Sequence, residues 1–131
     1  MTKQATIYFV STSSHKFQEI QTVLSHYGLT LKHKNIKLAE PDFENIEEIA
    51  KHKADQAFAQ LKAPVVVEDT GIYFQAYNNF PGMLAKRIFQ AIGYNGLFKL
   101  LDDKTREAFF KTSICYMDGK QHRIFTGLMK G

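Results

Sequence analysis

Two adjacent carboxylates stand at the end of an apolar run in Val65-Val66-Val67-Glu68-Asp69-Thr70-Gly71-Ile72. Three valines after a proline have the composition of a strand buried on both faces. Charge at the tip of such a strand is costly unless it is paired, hydrogen-bonded or bound to a cation. Glu68 and Asp69 therefore ask for a partner, unless the segment is an ordinary strand end closing in an Asp-Thr-Gly turn. Ser11-Thr12-Ser13-Ser14 offers hydroxyls just before Lys16, Glu40 stands alone ahead of Pro41, and Pro81-Gly82 precedes Lys86-Arg87. Carboxylates hold Mg2+, lysines neutralise phosphate oxygens, and one further carboxylate can deprotonate a water. Taken together, these residue types describe a hydrolytic phosphate site.

The elements that must position them follow from periodicity. Residues 5–10 read as a strand. Phe17, Ile20, Val23, Leu24 and Tyr27 then recur at helical spacing, with a serine before them as N-cap and Gly28 as the closing glycine. A strand, a hydroxyl-bearing loop and a helix N-terminus with a lysine in its first turn suit a phosphate. A plain serine-capped helix would read the same, and neither GxxxxGK(S/T) nor GxGxxG is present. Residues 29–38 alternate around Lys32-His33-Lys34, as in a short exposed or edge strand.

Glu40, Asp42, Glu44, Glu47 and Glu48 crowd together before a second helix, which starts at about Asn45 with Ile46, Ile49, Ala50, Ala57, Phe58 and Leu61 on one face. The helix dipole accounts for acids in the first turn but not for Glu40, which precedes it. Lys53 on this helix points to solvent, the commoner outcome, or into a cleft. Past the valine strand, Ile72-Tyr73-Phe74 reads as a second extended piece and residues 78–82 as a loop. Residues 83–92 form a helix with Leu84, Ile88, Phe89 and Ile92 buried, ended by Gly93, and a shorter helix covers 94–101. Residues 108–117 and 121–128 flank Asp118-Gly119, a hairpin signal, with Phe109, Phe110, Ile114, Tyr116, Ile124 and Phe125 supplying its apolar face or faces.

A chain of 131 residues is the size of one domain, here taken as 1–131, with one hydrophobic core. Its 44% hydrophobic and 23% charged residues argue against extended disorder. The net charge of +4 favours anionic partners, but the basic residues are scattered. No nucleic-acid tail, basic stripe or RNA-binding aromatic motif is present, so a nucleic-acid binder is the last-ranked reading. Cys115 is the only cysteine, which excludes an intrachain disulfide and fits a buried apolar position better than a catalytic thiol. The five histidines lack metal-ligand spacing with one another, and only His15 lies beside the hydroxyl loop. No signal-peptide core or membrane-length run occurs, so a soluble, cytoplasmic protein without membrane partners is expected.

The segment from Phe9 through Ser11-Thr12-Ser13-Ser14-His15-Lys16 to Glu19-Ile20 resembles a strand followed by an (S/T)-G-N-x-x-K-x-x-E-(I/L/V) loop, and Glu68-Asp69-Thr70-Gly71-Ile72 with Pro81-Gly82 resembles a (D/E)-D-(S/T)-x-L signature with its downstream P-G. These are the motifs of the non-canonical purine nucleoside triphosphate pyrophosphatases, or inosine triphosphatases, and the resemblance extends over nearly all of the chain. It implies an elongated, two-lobed α/β fold with a mixed twisted sheet flanked by helices, and a homodimer. It also implies Mg2+-dependent hydrolysis of inosine or xanthosine triphosphates to the monophosphate and pyrophosphate. By motif position Asp69 would activate water, with Glu40, Glu68 and Asp69 at the metal. Lys16 and Lys53 would meet the triphosphate, Ser11, Thr12, Ser13 and Thr70 would line its loop, and Phe80, Pro81, Gly82 and Lys86 would border the cleft.

Two departures follow. Thr12 and Ser13 replace the glycine and asparagine of the loop, losing close backbone approach and some amide hydrogen bonds. The sequence also ends at Gly131, before the family's glycine-rich segment ending in Asp-Pro and its Ser-His-Arg motif, which read the base. The expectation is a truncated or naturally short form, or a base pocket built differently. The rival reading is a non-catalytic nucleotide-binding or interaction domain that keeps only the phosphate and metal half of the site.

Overall fold

In the computed structural model, which describes residues 6–40 and 45–131, apolar runs pair into a sheet and amphipathic runs pack on it. The order is β1 (Ile7–Val10), α1 (Ser14–Ser25), β2 (Leu31–Lys34), α2 (Ile46–Leu61), β3 (Val65–Phe74), a 3-10 turn (Gln75–Tyr77), β4 (Phe80–Gly82), α3 (Ala85–Leu100), β5 (Ala108–Met117) and β6 (His122–Lys130). The sheet runs β2-β1-β3-β5-β6, with β4 also on β3. β1 is parallel to β2 and β3, and all other pairs are antiparallel. This is the mixed, helix-flanked α/β sheet that the sequence motifs imply.

β3 is the spine. Its ten residues pair one-for-one with β5, from Val65 with Met117 to Phe74 with Ala108, without a bulge. Its other edge is shared: β1 takes Val65 and Val66, and β4 takes Ile72 to Phe74. Between them, residues 67–71 have no strand alongside among the described residues. The carboxylate pair lies in this gap.

The two sheet faces are covered by different helices. Val10, Val65, Val67 and Cys115 pack with Ala50, Ala54 and Ala57 of α2 and with Leu38. The small alanines let α2 lie close to the sheet. On the other face Phe9, fully buried, meets Phe17 of α1 with ring centroids 6.1 Å apart. α1 and α2 each begin with a side-chain cap, Ser13 accepting from the Lys16 N–H at 3.2 Å and Asn45 from the Glu48 N–H at 2.9 Å, each cap stabilising by about 1 kcal/mol. Among the described residues no helix is long and apolar enough to cross a membrane.

The structure corrects several expectations. Glu68 and Asp69 lie mid-strand, not at a strand end or in a turn, because β5 continues alongside to Phe74. Ile72-Tyr73-Phe74 belongs to the same strand, and residues 80–82 form β4 instead of a loop. The helix boundary at Gly93 is present as a kink, with φ at 64°. Leu84, Phe89 and Ile92 are exposed, not buried, since among the described residues α3 packs mainly on β3 and β4 and its apolar side is left largely uncovered. Phe110 on β5 and Ile124 and Phe125 on β6 are likewise exposed, because the described residues leave their parts of the sheet faces largely uncovered. Cys115 is buried as expected, and burial pushes its thiol up to about 11, making it unreactive. Residues 1–5, with Ala5, and 41–44, with Pro41, Asp42 and Glu44, lie outside the described residues.

Candidate active site

Successive residues of a regular strand point to opposite faces of the sheet. Glu68 therefore shares the α1 face with Thr70, and Asp69 shares the α2 face with Ser113, its partner on β5. The two neighbouring acids meet different surroundings for this reason alone.

On the α1 face, the Lys16 ammonium donates to Glu68 Oε1 at 2.6 Å, and the Thr70 hydroxyl donates to Oε2 at 2.9 Å. Thr112 on β5 lies 3.0 Å from the Thr70 oxygen and extends the chain across the strand pair. Glu68 is 7% exposed, so these bonds compensate most of the cost of its burial. The loop that delivers Lys16 is itself fixed. Ser11 Oγ accepts from the Ser13 N–H at 3.0 Å, and the His33 ring contacts the Ser11 carbonyl oxygen at 2.8 Å while stacking on Phe17 at 4.9 Å.

On the α2 face, Asp69 Oδ2 is buried and has no hydrogen-bond partner. Burial pushes the Asp69 carboxyl up to about 6; Lys53 and Lys16 oppose this rise, while Glu68 and Glu40 add to it. A carboxyl poised there can accept a proton near neutral pH and release it again. Lys53 reaches in from α2 to donate to the Glu68 backbone carbonyl at 2.9 Å, an acceptor left free by the gap beside β3.

These groups open into one cavity of about 850 Å3. Ser11, Thr12, Ser13, Lys16, Glu40, Lys53, Glu68, Asp69, Thr70 and Lys86 of the expected site all line it. Phe80, Pro81 and Gly82 do not: Phe80 is exposed, and Pro81 and Gly82 are buried in β4. A Cβ at Gly71 would lie 2.7 Å from the Gly82 carbonyl oxygen, so the two glycines let β4 close on β3 and aim Met83 to Arg87 at the cavity. His15 pairs with Glu19 at 3.0 Å and stays outside.

Lys37, Arg87 and Gln90 also line the cavity. Arg87 was visible in the sequence as the second half of Lys86-Arg87. Lys37 was hidden among scattered lysines, since only the path of the loop after β2 brings it to the cavity. His33 and Thr112 were missed because each acts through another residue. The lining holds five cationic side chains, Lys16, Lys37, Lys53, Lys86 and Arg87, against three carboxylates. That excess suits a polyanion.

Among the described residues no three His, Cys, Asp or Glu side chains converge as a ready metal cage. Mg2+ does not require one, because it is commonly held by one or two carboxylates together with substrate phosphates and water. The unpartnered Asp69 Oδ2, with Glu68 and Glu40 lining the same cavity, offers carboxylate oxygens of the kind such an ion takes.

An open mixed sheet with a lysine loop and a carboxylate pair facing one cavity rich in cationic side chains defines an α/β protein with a basic cleft. The sequence profile of the Ham1 family matches residues 7–131, and the chain belongs to that family. It is 35% identical over 126 residues to a dITP/XTP pyrophosphatase of Hyperthermus butylicus, covering 95% of this chain and 66% of the relative. It is 32% identical over 123 residues to a dITP/XTP pyrophosphatase of Saccharolobus solfataricus, covering 93% of this chain and 64% of the relative. The chain thus spans just under two thirds of the length of these relatives. Its fold matches the structure of a HAM1 protein from Coxiella burnetii with a TM-score of 0.76 at 22% identity, covering 98% of this chain and 72% of that one.

Proposed function

We propose that this protein hydrolyses non-canonical purine nucleoside triphosphates, such as ITP, dITP and XTP, to the monophosphate and pyrophosphate. The observation that carries this reading is Asp69: a buried, unpartnered carboxylate oxygen facing a cavity with five cations. Lys16, Lys53, Lys86 and the hydroxyls of Ser11, Thr12 and Ser13 hold the triphosphate. Asp69 takes a proton from water as that water attacks phosphorus, the bond linking the α- and β-phosphoryl groups breaks, and pyrophosphate leaves. Mg2+, held by Glu68, Glu40 and Asp69, would supply charge neutralisation at the phosphoryl oxygens. Lys16 would then exchange Glu68 for a phosphate oxygen, leaving Glu68 as one of the residues that would hold the ion.

The second reading is a nucleotide-binding domain without turnover. It draws on Thr12 and Ser13, which stand where a glycine and an asparagine would approach phosphate more closely. One assay separates the two. The purified chain is incubated with Mg2+ and ITP, XTP or GTP, and pyrophosphate is measured. Release that is abolished by chelation and by Asp69→Asn supports the enzyme. No release from the intact chain, with nucleotide bound equally well by the Asp69→Asn variant, leaves only the binding domain.

A further inference from the structure

Glu40 lies outside every helix and strand, yet one side chain fixes its approach to the cavity. Gln56, on α2, accepts the Ala39 N–H at 2.9 Å and donates to the Ala39 carbonyl at 2.8 Å. A side-chain amide here imitates a strand neighbour, engaging both polar groups of one residue. Ala39 is exposed, so water could serve both groups equally well and burial does not demand the contact. What the pair of bonds does is fix the peptide planes on both sides of Ala39, including the plane that leads into Glu40. Leu38, 8% exposed, anchors the preceding residue in the core. The proline that follows Glu40 in sequence restricts Glu40 itself to extended backbone.

Gln56 is also three residues after Lys53, on the same face of α2. Lys53 holds the Glu68 carbonyl on one wall of the cavity, and Gln56 holds Ala39 on the other. One helical turn thereby sets the distance between the strand that bears Glu68 and Asp69 and the loop that bears Glu40.

We propose that Gln56 is a positioning residue for Glu40, acting through Ala39 to hold the Glu40 carboxylate on the cation-facing wall of the cavity. The metal part of this inference rests on the role given to Glu40 in the proposed function, whereas the backbone part does not. Gln56→Met keeps the length and apolar stem but makes neither hydrogen bond; Gln56→Glu keeps the acceptor for the Ala39 N–H but sets an oxygen against the Ala39 carbonyl. Two readouts are taken, amide hydrogen exchange over residues 36–40 and Mn2+ binding by electron paramagnetic resonance.

Gln56→Met is expected to speed exchange at the Ala39 amide, while Gln56→Glu, which keeps that acceptor, is expected to leave it nearly unchanged. Both variants are expected to weaken Mn2+ binding about tenfold, the scale seen when an outer partner of a ligand is lost. In a Glu40→Gln background the Gln56→Met substitution should no longer affect Mn2+. Unchanged exchange in the Gln56→Met protein overturns the proposal, as does an equal loss of Mn2+ affinity with or without Glu40. If Glu40→Gln alone leaves Mn2+ binding unmoved, the metal role of Glu40 in the proposed function is what fails, and the exchange result still decides whether Gln56 holds the loop. Should Gln56→Met fail to fold, Gln56→Asn, one methylene too short to bridge Ala39, gives the same comparison.

Discussion

Lys16 and Glu68 are in contact, with the ammonium 2.6 Å from Oε1, although 52 residues separate them. The pair joins the helix that follows the hydroxyl loop to the strand that carries the acids. It also sets the two opposite charges against each other. In the proposed function a triphosphate takes Lys16 away from Glu68, whereas a monophosphate offers less charge to compensate for the exchange. Lys16→Ala should therefore weaken triphosphate binding by about ten- to a hundredfold, the scale of one lost charge-assisted contact, and affect monophosphate binding far less. Calorimetry with ITP and IMP measures both; equal losses would remove Lys16 from the phosphate site.

If Asp69 serves as the general base of the proposed function, its activity and its effect on stability run with opposite signs. Its carboxyl is raised from 3.8 to about 6 in the folded chain, so the folded state binds that proton more tightly than the unfolded state does. The favourable contribution of the protonated form is present below the unfolded value and is lost as pH rises from about 4 to about 6. Above that range the buried charge is a net cost. Asp69→Asn should reduce turnover at least a hundredfold, as expected for loss of a general base, yet raise the melting temperature by a few degrees at pH 7.5. The gain should shrink toward zero near pH 4. Scanning calorimetry across that range checks it, and a variant that is less stable at pH 7.5 would show that the carboxylate is held by favourable contacts.

Lys53 is the largest influence opposing the rise at Asp69. Lys53→Met keeps the stem but removes the charge and the bond to the Glu68 carbonyl. The Asp69 carboxyl should then titrate above 6, moving the acid limb of activity to higher pH. Carbon-13 titration of the metal-free protein reads this directly. A shift downward would mean that Lys53 acts on Asp69 chiefly by excluding water.

The Pro-Gly motif has a structural test. An added Cβ at Gly71 would stand 2.7 Å from the Gly82 carbonyl oxygen and 2.9 Å from a Tyr73 ring carbon, so β4 would have to move off β3. Gly71→Ala should destabilise the chain by about 1–3 kcal/mol, the usual cost of overpacking a tight site. Urea unfolding measures it, and a neutral result would show that β4 shifts freely.

The sheet was legible wherever one segment's pattern decided its structure: the valine run, the serine-capped helix, the alanine-rich face of α2 and the Asp118-Gly119 hairpin. It was not legible where a neighbour decided. The acids looked terminal because charge usually ends a buried strand, and only the continuous pairing with β5 carries β3 past them. The apolar residues of α3 and β6 looked buried because periodicity records which side of an element is apolar, not whether anything covers it. Asp69, Glu68, Lys16 and Glu40 could be picked out by charge in unusual places, and a family motif tied them together. Lys37, His33, Gln56 and Thr112 could not, because ordinary polar residues acquire a role only from where the loops run.

The opposite orientation of Glu68 and Asp69 makes the site sensitive to parity. Moving β3 by one residue against β5 would exchange the faces of every side chain on it, sending one acid toward Lys53 and the other toward Lys16 in reversed roles. Loops around the cavity can gain or lose residues and still deliver a lysine or a hydroxyl. Between Val65 and Gly71 an insertion or deletion of one residue should be forbidden, while substitutions that keep the count are judged one side chain at a time.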